Sequence, residues 1–168
     1  MNKVFHNILL FFFLFLLQVL ILNNIRLFDY INPYLYIVFI FLYPYDEGKF
    51  SLLSFSFLLG LFIDFFSNSG GIHASASLFI AFIRLYVFKI VFQKTEADFD
   101  FFSLNEEPFG KIFNYTVILT IIHHFILFSL SNFSFHNFPN IISNTLFSSV
   151  FTLLLYFLGS FIFSRKQS

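Results

Sequence analysis

Cysteine is absent from this 168-residue chain, which excludes disulfides, thiol catalysis and cysteine-ligated metals. Charge is scarce. Only 11% of residues are charged, where a soluble domain of this size carries roughly a quarter. The nine basic and nine acidic side chains cancel, so no basic excess points to nucleic acid. Catalytic motifs are missing as well. There is no G-x-S-x-G elbow, no H-E-x-x-H and no P-loop, and the five histidines show no metal-ligand spacing. Asp64 stands alone in the apolar runs, so the paired intramembrane carboxylates of an aspartyl protease are absent. The expectation is a protein that is not an enzyme and holds no cofactor or metal. Repeats and a separate soluble domain are not visible.

What is abundant is apolar. Hydrophobic residues make up 58% of the chain, and 33 residues are Phe. A soluble core cannot hide that many rings, but lipid can solvate them. The runs Val4 to Leu22, Phe50 to Phe66, Ile72 to Phe92, Ile112 to Leu130 and Ile141 to Phe163 each read as a span. The first is long for a signal peptide and no A-x-A site follows, which predicts an uncleaved span. A further run, Leu35 to Tyr43, is short. Pro33 and Pro44 bracket it, and Tyr30, Tyr34, Tyr36, Tyr43 and Tyr45 cluster at its ends. Tyrosines at both ends suit two membrane interfaces, but the length equally suits a half-crossing. The fold class is therefore an all-α integral membrane protein. It is a single transmembrane domain over 1–168, a bundle of about six transmembrane helices with the second one short.

Lys and Arg in the loops set the orientation. The acidic loop at about 93–111 and the C-terminus, with Arg165 and Lys166, are expected in the cytoplasm, and the Gly70–Gly71 turn outside. Lys3 and Arg26 exchange sides between five and six crossings, so the rule leaves that number open. In the loop, acids alternate with Phe99, Phe101, Phe102 and Phe109. This suggests a solvated loop or a strip resting on the membrane surface or a partner.

Polar residues inside spans are costly and mark candidate sites. Ser56, Gly60 and Asp64 are spaced by four and share a helix face, as do His73, Ser77 and Ala81. Small residues let helices approach closely in lipid. Gly60, Asp64, Gly71, His73, Ala74 and Ser77 are thus candidates for a tight hairpin or a partner contact. Arg84 lies about 18 Å below the start of its helix and Asp64 about 3 Å below the same surface, so the two should not touch. His73, or the free N–H groups opening the helix at Ile72, are the expected partners of Asp64. Arg84 is expected to reach down to the cytoplasmic headgroups. Gln18 is expected to bond to a neighbouring helix. Thr116, Thr120 and His124 form one polar stripe, and Asn144, Ser148, Thr152 and Tyr156 another. Interhelical hydrogen bonding is the plain reading of both, and a polar cavity admitting a small solute is the alternative. His123 and His124 point about 100° apart on a helix, which does not suit one metal ion.

Several residues together resemble the MreD family of the bacterial rod-shape system. They are LLQV at 16–19, Pro33-Tyr34-Leu35 opening a short second span, Pro44 closing it, and Gly60-x3-Asp64 followed by the Ser/Asn turn and Gly71-x2-Ala74. Arg84 is not part of that pattern. The resemblance covers nearly the whole chain and implies a non-enzymatic inner-membrane role beside the bitopic protein MreC. The wider elongation complex then holds MreB, RodA and a transpeptidase, and maintains cell shape through lateral peptidoglycan synthesis. It also implies a fold like that of transporter S components. A small-solute-binding membrane subunit, with a pocket lined by Asp64, His73, His124 and Asn144, is therefore the alternative function.

Overall fold

The computed structural model describes residues 3–25, 31–95, 98–99, 102–132 and 138–164. The apolar runs form helices α1 (Lys3–Leu20), α2 (Val38–Leu42), α3 (Lys49–Ser67), α4 (Ile72–Phe92), α5 (Phe109–Ser131) and α6 (Phe138–Ser164). All but α2 belong to segments long and apolar enough to cross a membrane. Large apolar side chains face outward as a lipid-solvated surface requires: Phe50 is 83% exposed and Phe65 80%. From α3 onward, consecutive long helices pack against each other, and α1 packs on α3. The protein is thus a multi-pass helical membrane bundle.

Helices α1 and α3 run parallel. Asn7, near the start of α1, donates to Glu47 just before α3 at 2.7 Å. Asn23, just past α1, donates to Ser67 at the end of α3 at 2.9 Å. The chain must therefore return from one end of the bundle to the other between them. Gln18 Nε2 donates to the Pro33 carbonyl at 3.0 Å, so the return path meets α1 at Gln18 and again at Asn7. Those two positions lie about 16 Å apart along the helix.

This return is not a membrane-length helix. A 3₁₀ turn covers Leu35–Ile37, and α2 adds only five residues. Of the six transmembrane helices expected, five have membrane length; the second crossing is a short helix with an extended lead-in. Irregular backbone at membrane depth needs protein around it and partners for its polar groups. Both conditions hold. Gln18 satisfies the Pro33 carbonyl, and Thr152 Oγ1 of α6 accepts the Tyr34 N–H at 3.0 Å. Tyr36, Ile37, Phe39, Ile40 and Phe41 are buried on every side. A helix apolar all round belongs in a core, and here it is the strut around which the other five helices stand.

Six passes bring Lys3 and Ser164 to the same end of the bundle. Rings of Phe109 and Phe113, opening α5, lie 5.5 and 5.8 Å from that of Phe157 near the end of α6. The segment between α4 and α5 lies at this end too. Its described part packs on the bundle: Phe102 lies on Phe88 at 4.6 Å and Phe99 on Tyr45 at 5.4 Å. Lys94 pairs with Glu107. Arg26, Asp29, Tyr30, Glu96, Asp100, Phe101, Arg165 and Lys166 lie outside the described residues.

Candidate functional site: the Asp64 hairpin and the polar interior

The α3–α4 hairpin turns on three left-handed residues, Asn68 (φ 51°), Gly70 (φ 68°) and Gly71 (φ 94°). Asparagine and glycine are the residues that adopt this conformation at least cost. Asp64 fixes both sides of the turn. Its backbone carbonyl accepts the Ser69 N–H at 3.2 Å and closes α3. Its carboxylate opens α4, accepting the N–H groups of His73 at 3.0 Å and Ala74 at 2.8 Å, with the Ser69 hydroxyl at 2.5 Å. The first N–H groups of a helix lack internal acceptors and carry partial positive charge, so a carboxylate there is stabilised. Of the two partners expected for Asp64, the helix-opening N–H groups take it, and the His73 ring turns elsewhere.

Gly60 lies one turn deeper. A Cβ added there would meet the Ala74 Cα at 2.5 Å and the His73 carbonyl oxygen at 2.6 Å. The two helices therefore touch backbone to backbone, and only glycine fits. Ser77 donates to the His73 carbonyl of its own helix at 2.7 Å. Ser56 Oγ has no partner among the described residues.

The His73 ring points inward to the strut. Tyr36 Oη lies 2.9 Å from His73 Nδ1 and 2.9 Å from His123 Nε2, so one phenol bridges α4 and α5. A phenol has one proton, so it donates to one ring and accepts from the other. His124 has its tautomer fixed. Its Nδ1 lies 2.8 Å from the Thr120 carbonyl, which only accepts, so Nδ1 carries the proton. Its Nε2 must then accept from the Thr152 hydroxyl at 3.1 Å, whose oxygen takes the Tyr34 N–H. Three elements are tied together by this chain.

No family model, no curated protein and no solved structure matches the chain.

The remaining candidates divide. Gln18 bonds to the Pro33 carbonyl in the extended lead-in to the strut and to Asn23 (2.8 Å). Asn144 is half-buried at the bundle edge, while Thr145, Ser148, Ser149 and Thr152 are buried. Their spacing of three and four is the signal that a strict period of four missed. The hydroxyls of Thr120, Thr145, Ser148 and Ser149 have no protein partner among the described residues. His73 and His124 both pack on the Tyr34 ring, at 5.5 and 5.3 Å. Asp64 and Asn144 do not join them in one pocket. The described residues contain no group of three side chains that could hold a metal.

Arg84 departs most from expectation. It is 1% exposed and does not reach out of the bundle. Its Nε donates to Tyr115 Oη at 3.1 Å, Nη2 donates to the Tyr43 carbonyl, and the guanidinium lies 3.8 Å over the Tyr45 ring. Tyr45 and Tyr115 are themselves hydrogen-bonded at 2.7 Å. Arg84 thus holds the lower end of the strut, as Gln18 and Thr152 hold the upper end. Sequence reasoning missed this because Tyr43 and Tyr115 are remote in the chain.

Proposed function

We propose that this chain is a non-enzymatic membrane scaffold of the MreD kind. In this reading it sits in a bacterial inner membrane beside an MreC-like single-span protein. It belongs to an elongation complex with MreB, RodA and a transpeptidase, and helps maintain cell shape through lateral peptidoglycan synthesis.

One observation carries the reading: Asp64, His73 and His124, the groups a solute pocket would use, are committed to the chain's own fold. Both oxygens of Asp64 are filled by three donors, His73 is bonded to Tyr36, and His124 is bonded at both nitrogens. A subunit built to bind a small solute there would leave such groups turned toward a cavity. What remains for partners is the lipid-facing surface, where close helix packing needs a well-fixed bundle. Lys49, Lys89, Lys94 and Lys111 lie at the end of the bundle that holds Lys3 and Ser164. By the positive-inside rule that end is cytoplasmic and the Asp64 turn faces outward.

The test is purification of the tagged full chain in mild detergent. The expected result is co-purification of a single-span membrane protein, with loss of rod shape on depletion. Recovery of the chain alone, holding a tightly bound small solute, would overturn the proposal.

A further inference from the structure

Arg84 carries a buried positive charge with no carboxylate to neutralise it among the described residues. Its protein partners are a phenol, a carbonyl and an aromatic face, all formally neutral. The Tyr115 hydroxyl, the Tyr43 carbonyl and the Tyr45 side chain are fewer acceptors than the five N–H donors of a guanidinium. Burying a charge is costly unless an opposite charge or a full set of hydrogen bonds compensates. The three tyrosines compensate in part.

The guanidinium lines a cavity of about 500 Å³ between the start of α3 and the last turns of α4. Lys49 and Lys89 line the same cavity with a single acid, Asp46. Glu47, the other acid of this turn, faces Asn7 on α1 instead. The cavity wall also includes Gly48, the N-cap residue of α3, which has no side chain of its own to cap the helix. The first amides of a 19-residue helix, which carry partial positive charge, therefore open beside Arg84. Two independent features, a buried guanidinium without a carboxylate partner among the described residues and the start of α3, converge on one space.

We infer that this cavity binds an anionic phosphate ester, whose oxygens accept from Arg84 and from the start of α3. The guanidinium fork matches phosphate geometry, and helix starts bind phosphate through their free amides. The volume exceeds that of a phosphate alone and leaves room for part of the esterified alcohol. The surroundings suit an amphiphile. Tyr86 in the cavity wall is 58% exposed, and Phe50 and Ile90 beside it face outward at 83% and 75%. A lipid headgroup entering from the bilayer and a free phosphate compound share this chemistry.

The experiment uses the full chain in mild detergent. Native mass spectrometry reads retention of phosphatidylglycerol against phosphatidylcholine, and a thermal shift reads stabilisation by millimolar inorganic phosphate. Selective retention of phosphatidylglycerol without a phosphate effect identifies a lipid source. Stabilisation by inorganic phosphate identifies a free one. Arg84→Gln is expected to weaken the effect about tenfold or more, the scale of one lost charge-assisted bond. Lys49 is exposed at the rim, so Lys49→Gln should fold normally and weaken binding more modestly, which keeps the test decisive if Arg84→Gln does not fold. Equal retention of the two lipids with no response to phosphate overturns the inference. So does unchanged selectivity in the folded variants.

Discussion

Asp64 and Ala74 meet through a 2.8 Å bond from the Ala74 N–H to the carboxylate, and the same carboxylate takes the N–H of His73. One side chain thus joins the last turn of α3 to the first turn of α4. Asp64→Asn keeps one acceptor oxygen but sets an amide donor against backbone donors and removes the negative charge. The expected loss is about 1–3 kcal/mol, read as a lower unfolding midpoint in detergent. An unchanged midpoint would remove the cap from any role in stability.

Gly60 separates packing from flexibility. Gly60→Ala forces the Ala74 backbone away and should cost about 1–3 kcal/mol. At Gly159 an added Cβ meets nothing within 4 Å, so Gly159→Ala should be neutral or slightly stabilising. Thermal unfolding of the two variants side by side checks this, and equal effects would contradict the close approach.

Arg84→Lys tests the tyrosine cage. A lysine keeps the charge but lacks the planar fork that reaches Tyr115 and Tyr43 together. A loss comparable to that of Asp64→Asn is expected. From sequence alone Arg84 is expected to reach the headgroups, where a lysine would serve as well. Burial at 1% exposure reverses that expectation. A variant as stable as the parent would show that the cage contributes little.

The Tyr36 bridge and the His124 chain make a spectroscopic prediction. In ¹⁵N-histidine spectra His124 should be the Nδ1–H tautomer, because the Thr120 carbonyl admits no other. Tyr36→Phe should alter the His73 and His123 signals and leave that of His124 nearly fixed. It should also destabilise by about 1–3 kcal/mol through unpaired ring nitrogens. A shift confined to His124 would refute the assignment.

Six crossings predict sidedness. The natural chain has no cysteine, so single cysteines can be labelled without background. His6→Cys and Glu106→Cys should react from one side of the membrane, and Asn24→Cys from the other. Opposite sidedness for positions 6 and 106 would mean five crossings.

The hairpin was legible in the sequence because it is local. Asp64 and its helix-opening partners are separated by a turn whose Asn and Gly residues announce their conformation, and a four-residue spacing puts Gly60 on the same face. The count of crossings was not legible. Lys and Arg balance the five- and six-pass arrangements equally, and a short run between two prolines fits either.

By itself the amino-acid sequence determined that this chain lives in lipid as a helical bundle and that α3 and α4 close on each other. Composition and short-range spacing suffice for both. The tertiary structure alone decided that the second segment crosses as a buried strut and that Arg84 is enclosed. Each depends on polar groups distant in the chain, Gln18 with Pro33, Tyr34 with Thr152, and Arg84 with Tyr43 and Tyr115. Backbone that cannot be helical survives at membrane depth only where such remote side chains complete its hydrogen bonds, and no local pattern records which ones will arrive.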